Sequence, residues 1–216
     1  MRHAYPIMID VTDRPVVIVG GGPVAVRKAG GVLEAGATRV RVVSPAFDPA
    51  MPEGVERVTA TYEAAHLDGA GLVFAATDLP AVNDAVVRDA RSRGVLVSRA
   101  DADEEDPGDF TVPARWRSGP VTVAVSTGGN PALAVTVRDG LKARWDDRWT
   151  RMAELMVVLR SQFRAAPDVG PAMRREIFRD LATEEALGVL DRVGFEGLVD
   201  WLKRKHPGLS SPRRPG

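Results

Sequence analysis

The 216-residue sequence predicts an α/β protein, a doubly wound parallel sheet followed by an all-helical region. Three observations carry this. Residues 15–44 read as strand, glycine turn, helix, strand. Gly71 to Ala76 is an unbroken apolar run, as in a strand covered on both faces. From Trp149 onward, apolar residues recur at helical spacing, as at Met152, Leu155, Met156 and Leu159.

Taken in order, Pro6–Val11 is short and apolar and is expected to pack near the sheet. Val16–Val19 is a buried strand, and the helix runs from Val24 to about Ala35, where Gly36 ends it. Between them lies the spacing Gly20-x-Gly22-x-x-Ala25. Gly20 permits a tight turn, Gly22 lets the backbone approach a pyrophosphate, and Ala25 lets the helix sit close to the strand. Orphan N–H groups at the helix start can then hold the two phosphates.

The second strand, Val40–Val43, ends in Ser44-Pro45. An Asp or Glu is expected at this point to hold the adenine ribose. The Ser44 hydroxyl can supply one such bond. Arg39 and Arg41 could favour a 2′-phosphate instead, so the residues alone leave NAD and NADP both open. Val55–Thr59 reads as a third strand and Tyr62–Leu67 as a short helix or none. Gly71–Ala76 is the fourth strand, ended by Thr77-Asp78. Pro80–Arg93 is a helix stopped by Gly94, and Val95–Ser98 is the next strand. Residues 1–112 thus form a Rossmann-like domain.

Residues 101–109 carry six acids beyond that last strand. Ligands of such sheets bind past the carboxyl ends of the strands. Asp101 or Asp103 there could exchange a proton while hydride is transferred, and Asp109 could brace the turn. Phe110–Ala114 and Val121–Ser126 are strand candidates, with a turn at Arg115–Pro120. A glycine turn, Thr127 to Pro131, feeds a helix over Ala132–Arg144. Trp149–Arg164, Ala172–Leu181, Glu184–Val193 and Phe195–Lys205 are helices of a region spanning 146–209. Residues 210–216 read as a disordered tail. The apolar faces after residue 113, the helical tail included, exceed what one copy can cover, so a homodimer is expected.

Composition narrows the function. Lys and Arg number 29, as do Asp and Glu, so nothing suggests bulk attraction to nucleic acid or a membrane. There is no cysteine, which removes disulfides and thiolate metal sites. His3, His66 and His206 are scattered and form no zinc motif, so no metal ligands are assigned. No G-x-S-x-G elbow and no G-x-x-x-x-G-K-S/T loop occurs. No apolar run matches a signal peptide or a membrane span, so a cytoplasmic protein is expected.

Several stretches together resemble the siroheme synthase N-terminal domain family, the precorrin-2 dehydrogenases, some of which are also sirohydrochlorin ferrochelatases. Val17 to Lys28 is similar to that family's V-G-G-G-x-V-A-x-R-K, and Gly36-Ala37 and Val42 to Pro45 follow at the right distances. Leu72 to Asp78 with Asn83 is similar to its A-A-T-D…N. Asp109-Phe110, Pro113, Gly119-Pro120, Val123 to Gly129 and Leu133-Ala134 complete the likeness, which covers about residues 5–145. The resemblance implies NAD-dependent oxidation of precorrin-2 to sirohydrochlorin by a homodimer, with residues 113–145 as the dimerisation segment. It implies cofactor contacts from Gly20, Gly21, Gly22, Pro23, Val24, Ser44, Pro45, Thr77, Asp78 and Asn83. The family's catalytic aspartate closes an N-V-x-D stretch. Here that stretch is Ser98-Arg99-Ala100-Asp101, which carries the role to Asp101.

Two departures bear on this. The stretch between Asp101 and Asp109 is about two residues longer than in the family, which keeps Asp103 as a rival. The family's T-G-G-x-S-P turn is shortened to Thr127-Gly128-Gly129-Asn130-Pro131. In the family that turn lies near the tetrapyrrole, so Ser126, Thr127, Gly128 and Gly129 are substrate candidates. A substrate with eight carboxylates also calls for arginines at the cleft edge, and Arg99, Arg115, Arg117 and Arg138 are the candidates. Ferrochelation stays open, as does a second reading: a dinucleotide-binding homodimer that keeps the fold without the chemistry.

Overall fold

The computed structural model describes residues 5–101 and 106–214. The chain divides into two compact units between Val112 and Pro113.

The first unit contains β1 (Val16–Val19), α1 (Pro23–Glu34), β2 (Val40–Ser44) and β3 (Glu56–Thr59). A single 3-10 turn at Ala64–Leu67 follows, then β4 (Leu72–Ala75), α2 (Pro80–Ser92) and β5 (Val97–Arg99). The strands form one sheet in the order β3-β2-β1-β4-β5, all parallel. Val16 pairs with Val40 on one side and Leu72 on the other. Every residue of β1 and β4 is buried, because helices cover both faces. Ile18, Val42 and Phe74 face the α1 side with Ala25 and Ala29, and Ile9 and Val11 of the N-terminal segment pack there too. Val17, Val19, Val73 and Ala75 face the α2 side with Val86 and Ala90. Each fully buried Val or Ile contributes roughly 1.5–3 kcal/mol.

Strand β5 begins two residues later than the apolar run suggests. The Val95 N–H closes the end of α2 by donating to the Ala90 carbonyl at 3.0 Å, so Val95 belongs to the helix cap. Asp101 therefore stands two residues past β5.

The second unit opens with an antiparallel hairpin, β6 (Ala114–Ser118) and β7 (Val121–Val125). The sequence predicts a turn over Arg115–Pro120 and a strand over Phe110–Ala114. The turn is only Gly119-Pro120, with Gly119 at φ 54°, and Arg115 to Ser118 is strand. The arginines disguised it: Arg115 and Arg117 lie on one face, while Trp116 on the other meets Trp145 edge-on at 5.0 Å. Phe110 is not in a strand; it packs edge-on against Phe74 at 5.4 Å.

Helices α3 (Pro131–Lys142), α4 (Asp147–Ala165), α5 (Pro171–Leu181) and α6 (Glu184–Lys205) follow. Gly194 breaks α6 with φ 67° and ψ −167°, at the boundary read from the sequence between Val193 and Phe195. The last three helices bury Met152, Leu155, Leu159, Phe163, Ile177, Leu181, Leu187, Leu198 and Leu202 in one core. They thus cover their own apolar stripes, contrary to the expectation that the helical tail needs a second copy. The described residues 210–214 form no helix or strand and make hydrogen bonds to the helical unit. Ser210 bonds Asp168 through its N–H at 2.8 Å and its hydroxyl at 3.1 Å. Arg213 pairs with the Gln162 amide through its own N–H and carbonyl.

Candidate active site

Chain order reverses between β1 and β4, and a ligand cleft belongs beyond the carboxyl ends of those strands. The three glycines after β1 differ in what surrounds them. Gly20 has φ 124°, and a Cβ there would stand 2.2 Å from the Ala76 carbonyl oxygen. A Cβ on Gly21 would stand 2.0 Å from the Ala46 carbonyl oxygen and 2.7 Å from the Ser44 hydroxyl. A Cβ on Gly22 would meet nothing within 4 Å. Gly22 is also the N-cap of α1, no side chain caps that end, and Pro23 opens the helix. The result is a cradle of backbone N–H groups with open space before it, which fits a dinucleotide pyrophosphate.

Ser44 ends β2 and is 7% exposed, tucked against Gly21. Pro45 follows and is exposed. Arg39 precedes β2, and Arg41 near its start pairs with Glu56 at 3.0 Å. At about 3.3 Å per residue they lie roughly 16 and 10 Å short of Ser44, toward the amino end of the sheet.

Thr77 and Asp78 leave β4 at the same edge, with Asp78 exposed. Asn83 is fully buried in α2 and reaches both Thr77 and Asp101 from within the core. Its side-chain oxygen accepts from the Thr77 hydroxyl at 2.8 Å and the Thr77 N–H at 3.2 Å, and its amide donates to the Thr77 carbonyl at 3.0 Å.

Asp101 stands beyond β5, its side chain 19% exposed. Arg99 grips both its oxygens, Nε to Oδ1 at 2.6 Å and Nη2 to Oδ2 at 2.9 Å. The third Arg99 nitrogen, Nη1, donates to Asp84 at 2.5 Å. Burial pushes the Asp101 carboxyl up, but hydrogen bonds from Arg99 and Asn83 and the Arg99 charge outweigh it and hold the carboxyl below the usual aspartate range. The group is therefore an acceptor at neutral pH and can take a proton. The Arg99 side chain is 4% exposed, which corrects its placement at the cleft edge as a substrate arginine.

Asp106 and Asp109 are also held from α2. Arg91 holds Asp106 with two bonds of 2.8 and 2.9 Å and Asp109 with one of 3.0 Å. Asp109 also accepts from the Val97 N–H at 3.1 Å, the bracing role read for it. Asp103 lies outside the described residues. Asp84 and Arg91 were missed from the sequence. Their seven-residue separation places them on one helix face, the signal that could have found them.

The remaining substrate candidates lie in the second unit. Arg115 and Arg117 share a face of β6. Ser126 to Gly129 leaves β7; the Thr127 hydroxyl donates to the Asn130 carbonyl, and the Asn130 side chain caps α3 by accepting from the Leu133 N–H at 3.0 Å. Gly128 and Gly129 have φ 66° and 109°. Arg138 on α3 is paired with Asp139 at 2.7 Å. Among the described residues no group of three His, Asp or Glu is placed to hold a metal ion, and no helix is long and apolar enough to cross a membrane.

A family model described as "Putative NAD(P)-binding" matches residues 7–114, half of the chain. Siroheme synthase of Methylococcus capsulatus is 40% identical over 221 residues, covering 95% of this chain and 46% of that protein. Siroheme synthase of Photobacterium profundum is 40% identical over 156 residues, covering 69% of this chain and 33% of that protein. The chain belongs to the siroheme synthase N-terminal domain family. It spans less than half the length of these curated relatives. The solved structure of SirC, a precorrin-2 dehydrogenase, shares the fold, with a TM-score of 0.76 at 23% identity over 93% of this chain and all of that one. The family's dinucleotide-binding domain is thus the unit that carries the glycine cradle.

Proposed function

We propose that the chain is a precorrin-2 dehydrogenase that uses NAD and forms sirohydrochlorin. The observation that carries this reading is the Asp101 carboxylate, held by the Arg99 fork at the carboxyl edge of a sheet whose first turn leaves open space before Gly22. Family membership beside siroheme synthases supports the substrate. Bound NAD supplies the hydride acceptor. The open space before Gly22 and the first N–H groups of α1 hold its pyrophosphate, and Thr77 and Asp78 border it. Oxidation removes two electrons and one hydrogen as hydride. The substrate left behind is cationic, and its remaining acidic proton passes to an Asp101 oxygen. A weak base suffices because hydride loss acidifies that proton.

The tetrapyrrole's carboxylates call for cations, and Arg115 and Arg117, on one face of β6, are proposed to receive them with the Ser126–Gly129 turn. The active form is proposed to be a homodimer in the cytoplasm. Its support is α3, which leaves Leu133, Val135, Val137 and Leu141 exposed.

The test supplies purified protein with precorrin-2 and NAD, and follows sirohydrochlorin absorbance, with NADP in parallel. Dinucleotide binding without product would favour the binding-only homodimer. Faster turnover with NADP would overturn the cofactor choice.

A further inference from the structure

Arginine is a surface residue by habit, and a long charged side chain buried to 4% exposure is held there by its partners. Arg99 spends three nitrogens on two carboxylates: Nε and Nη2 on Asp101, two residues along its own chain, and Nη1 on Asp84 of α2. The bidentate fork fixes the plane of the Asp101 carboxylate as well as its position. Asp84 holds the guanidinium from the other side, so the fork cannot swing away with Asp101.

The surroundings mark Arg99 as the cation matched to Asp101. Asp84, Arg88 and Arg91 of α2 and Asp106 after the acidic run line one cleft with Arg99. Arg91 is engaged by Asp106 and Asp109, and Arg88 lies beside Asp89. Asn83 reaches Asp101 from α2, but as a neutral amide it orients without adding charge.

We propose that Arg99 is a positioning residue for the reaction: it aims the Asp101 carboxylate and keeps it charged, and it does not bind substrate. This rests on Asp101 as the proton acceptor. Burial alone would favour a protonated Asp101, which has no acceptor to offer at that oxygen. Lysine could keep the charge in place but not the fork, so charge and aim separate experimentally.

The test is carbon-13 NMR of the aspartate carboxyls in the full chain, with the Asp101 signal assigned by its loss in Asp101→Asn. In Arg99→Met the Asp101 midpoint should rise by about 1–3 pH units, the usual effect of removing an adjacent opposite charge. Arg99→Lys should stay close to the wild type. In turnover of precorrin-2, the acid limb of kcat/KM should move the same way in Arg99→Met. Arg99→Lys should retain the limb and lose kcat, with the KM for NAD little changed. An unmoved Asp101 midpoint in folded Arg99→Met overturns the proposal. Where Arg99→Met fails to fold, Asp84→Asn/Arg99→Met removes one orphaned carboxylate and carries the same comparison. Where that fails too, Arg99→Lys decides: normal kcat overturns the role, and lost kcat with a retained limb supports it. A wild-type chain without turnover would sink the dehydrogenase reading and leave the NMR result to stand on its own.

Discussion

The Asn83 side chain and Thr77 exchange three hydrogen bonds, of 2.8, 3.0 and 3.2 Å, which lock the end of β4 to the first turn of α2. A buried amide with this many partners is costly to remove. Asn83→Ala leaves the Thr77 groups without them and should destabilise the chain by about 1–3 kcal/mol. It should also weaken dinucleotide binding, because Thr77 borders the cradle. Urea unfolding and an NAD titration measure the two effects; a loss in neither would contradict the bracing role.

The three glycines should respond differently to substitution. Gly20→Ala and Gly21→Ala each drive a carbon into a carbonyl oxygen, at 2.2 and 2.0 Å, and should impair folding. Gly22→Val should fold, since its Cβ meets nothing and its φ of −83° suits any residue. It should abolish NAD binding, because the side chain fills the pyrophosphate's space. Circular dichroism together with calorimetric titration separates the cases. Full NAD affinity in Gly22→Val would show that the turn at Gly22 does not hold the dinucleotide.

Asp101→Asn keeps the size of the side chain and cannot take a proton. Turnover should fall roughly 10²–10⁴-fold, with NAD affinity nearly unchanged, since the loss is confined to the transition state. Asp103→Asn is the matched control for the longer acidic loop. A dead Asp103→Asn beside a normal Asp101→Asn would move the role to Asp103.

Acid should loosen the first unit through identifiable groups. The Arg91 hydrogen bonds hold Asp106 below the ordinary aspartate value near 3.8, outweighing the upward push of burial. Asp101 is likewise lowered, its burial outweighed by Arg99 and Asn83. A carboxyl lowered on folding contributes stability that is complete above the unfolded value. That stability is lost as pH falls through the folded value. Thermal unfolding should therefore be flat down to a pH of about 5 and fall steeply below about 4. Arg91→Met should have a shallower acid dependence. An equal slope in the variant would show that these pairs are not responsible.

Assembly should depend on α3. Leu133→Glu with Leu141→Glu places charge on two side chains that are 49% and 47% exposed in one copy. Neither contributes to a buried core, so the variant should fold. Sedimentation should give a dimer for the wild type and a monomer for the variant. A monomeric wild type at micromolar concentration would refute the dimer.

The sheet was readable in the sequence because burial on both faces leaves little but apolar residues in Val16–Val19 and Leu72–Ala75. The helix ends were readable from Gly36, Gly94 and Gly194, where φ is positive. Strand β6 was not, because alternating Arg115, Trp116 and Arg117 looks polar until Trp145 supplies the apolar side of the pattern. At the site, the glycine turn between β1 and α1 was legible from spacing alone. The burial of Arg99 was not. Arginine composition points outward by default, and only tertiary structure brings Asp84 of α2 to the end of β5. Asn83 was recognised as a site position, but its work is carried out from within the core.

The bare N-terminus of α1 sets a trap for protein engineering. A stability-guided redesign would place Ser or Asp at Gly22, where a self-made cap gains a few tenths of a kcal/mol. That hydroxyl or carboxylate would then compete for the same N–H groups as an incoming anion. Selection for heat resistance and selection for cofactor use should drive this position to different residues, so a variant library scored on each would rank glycine below Ser and Asp in one and first in the other.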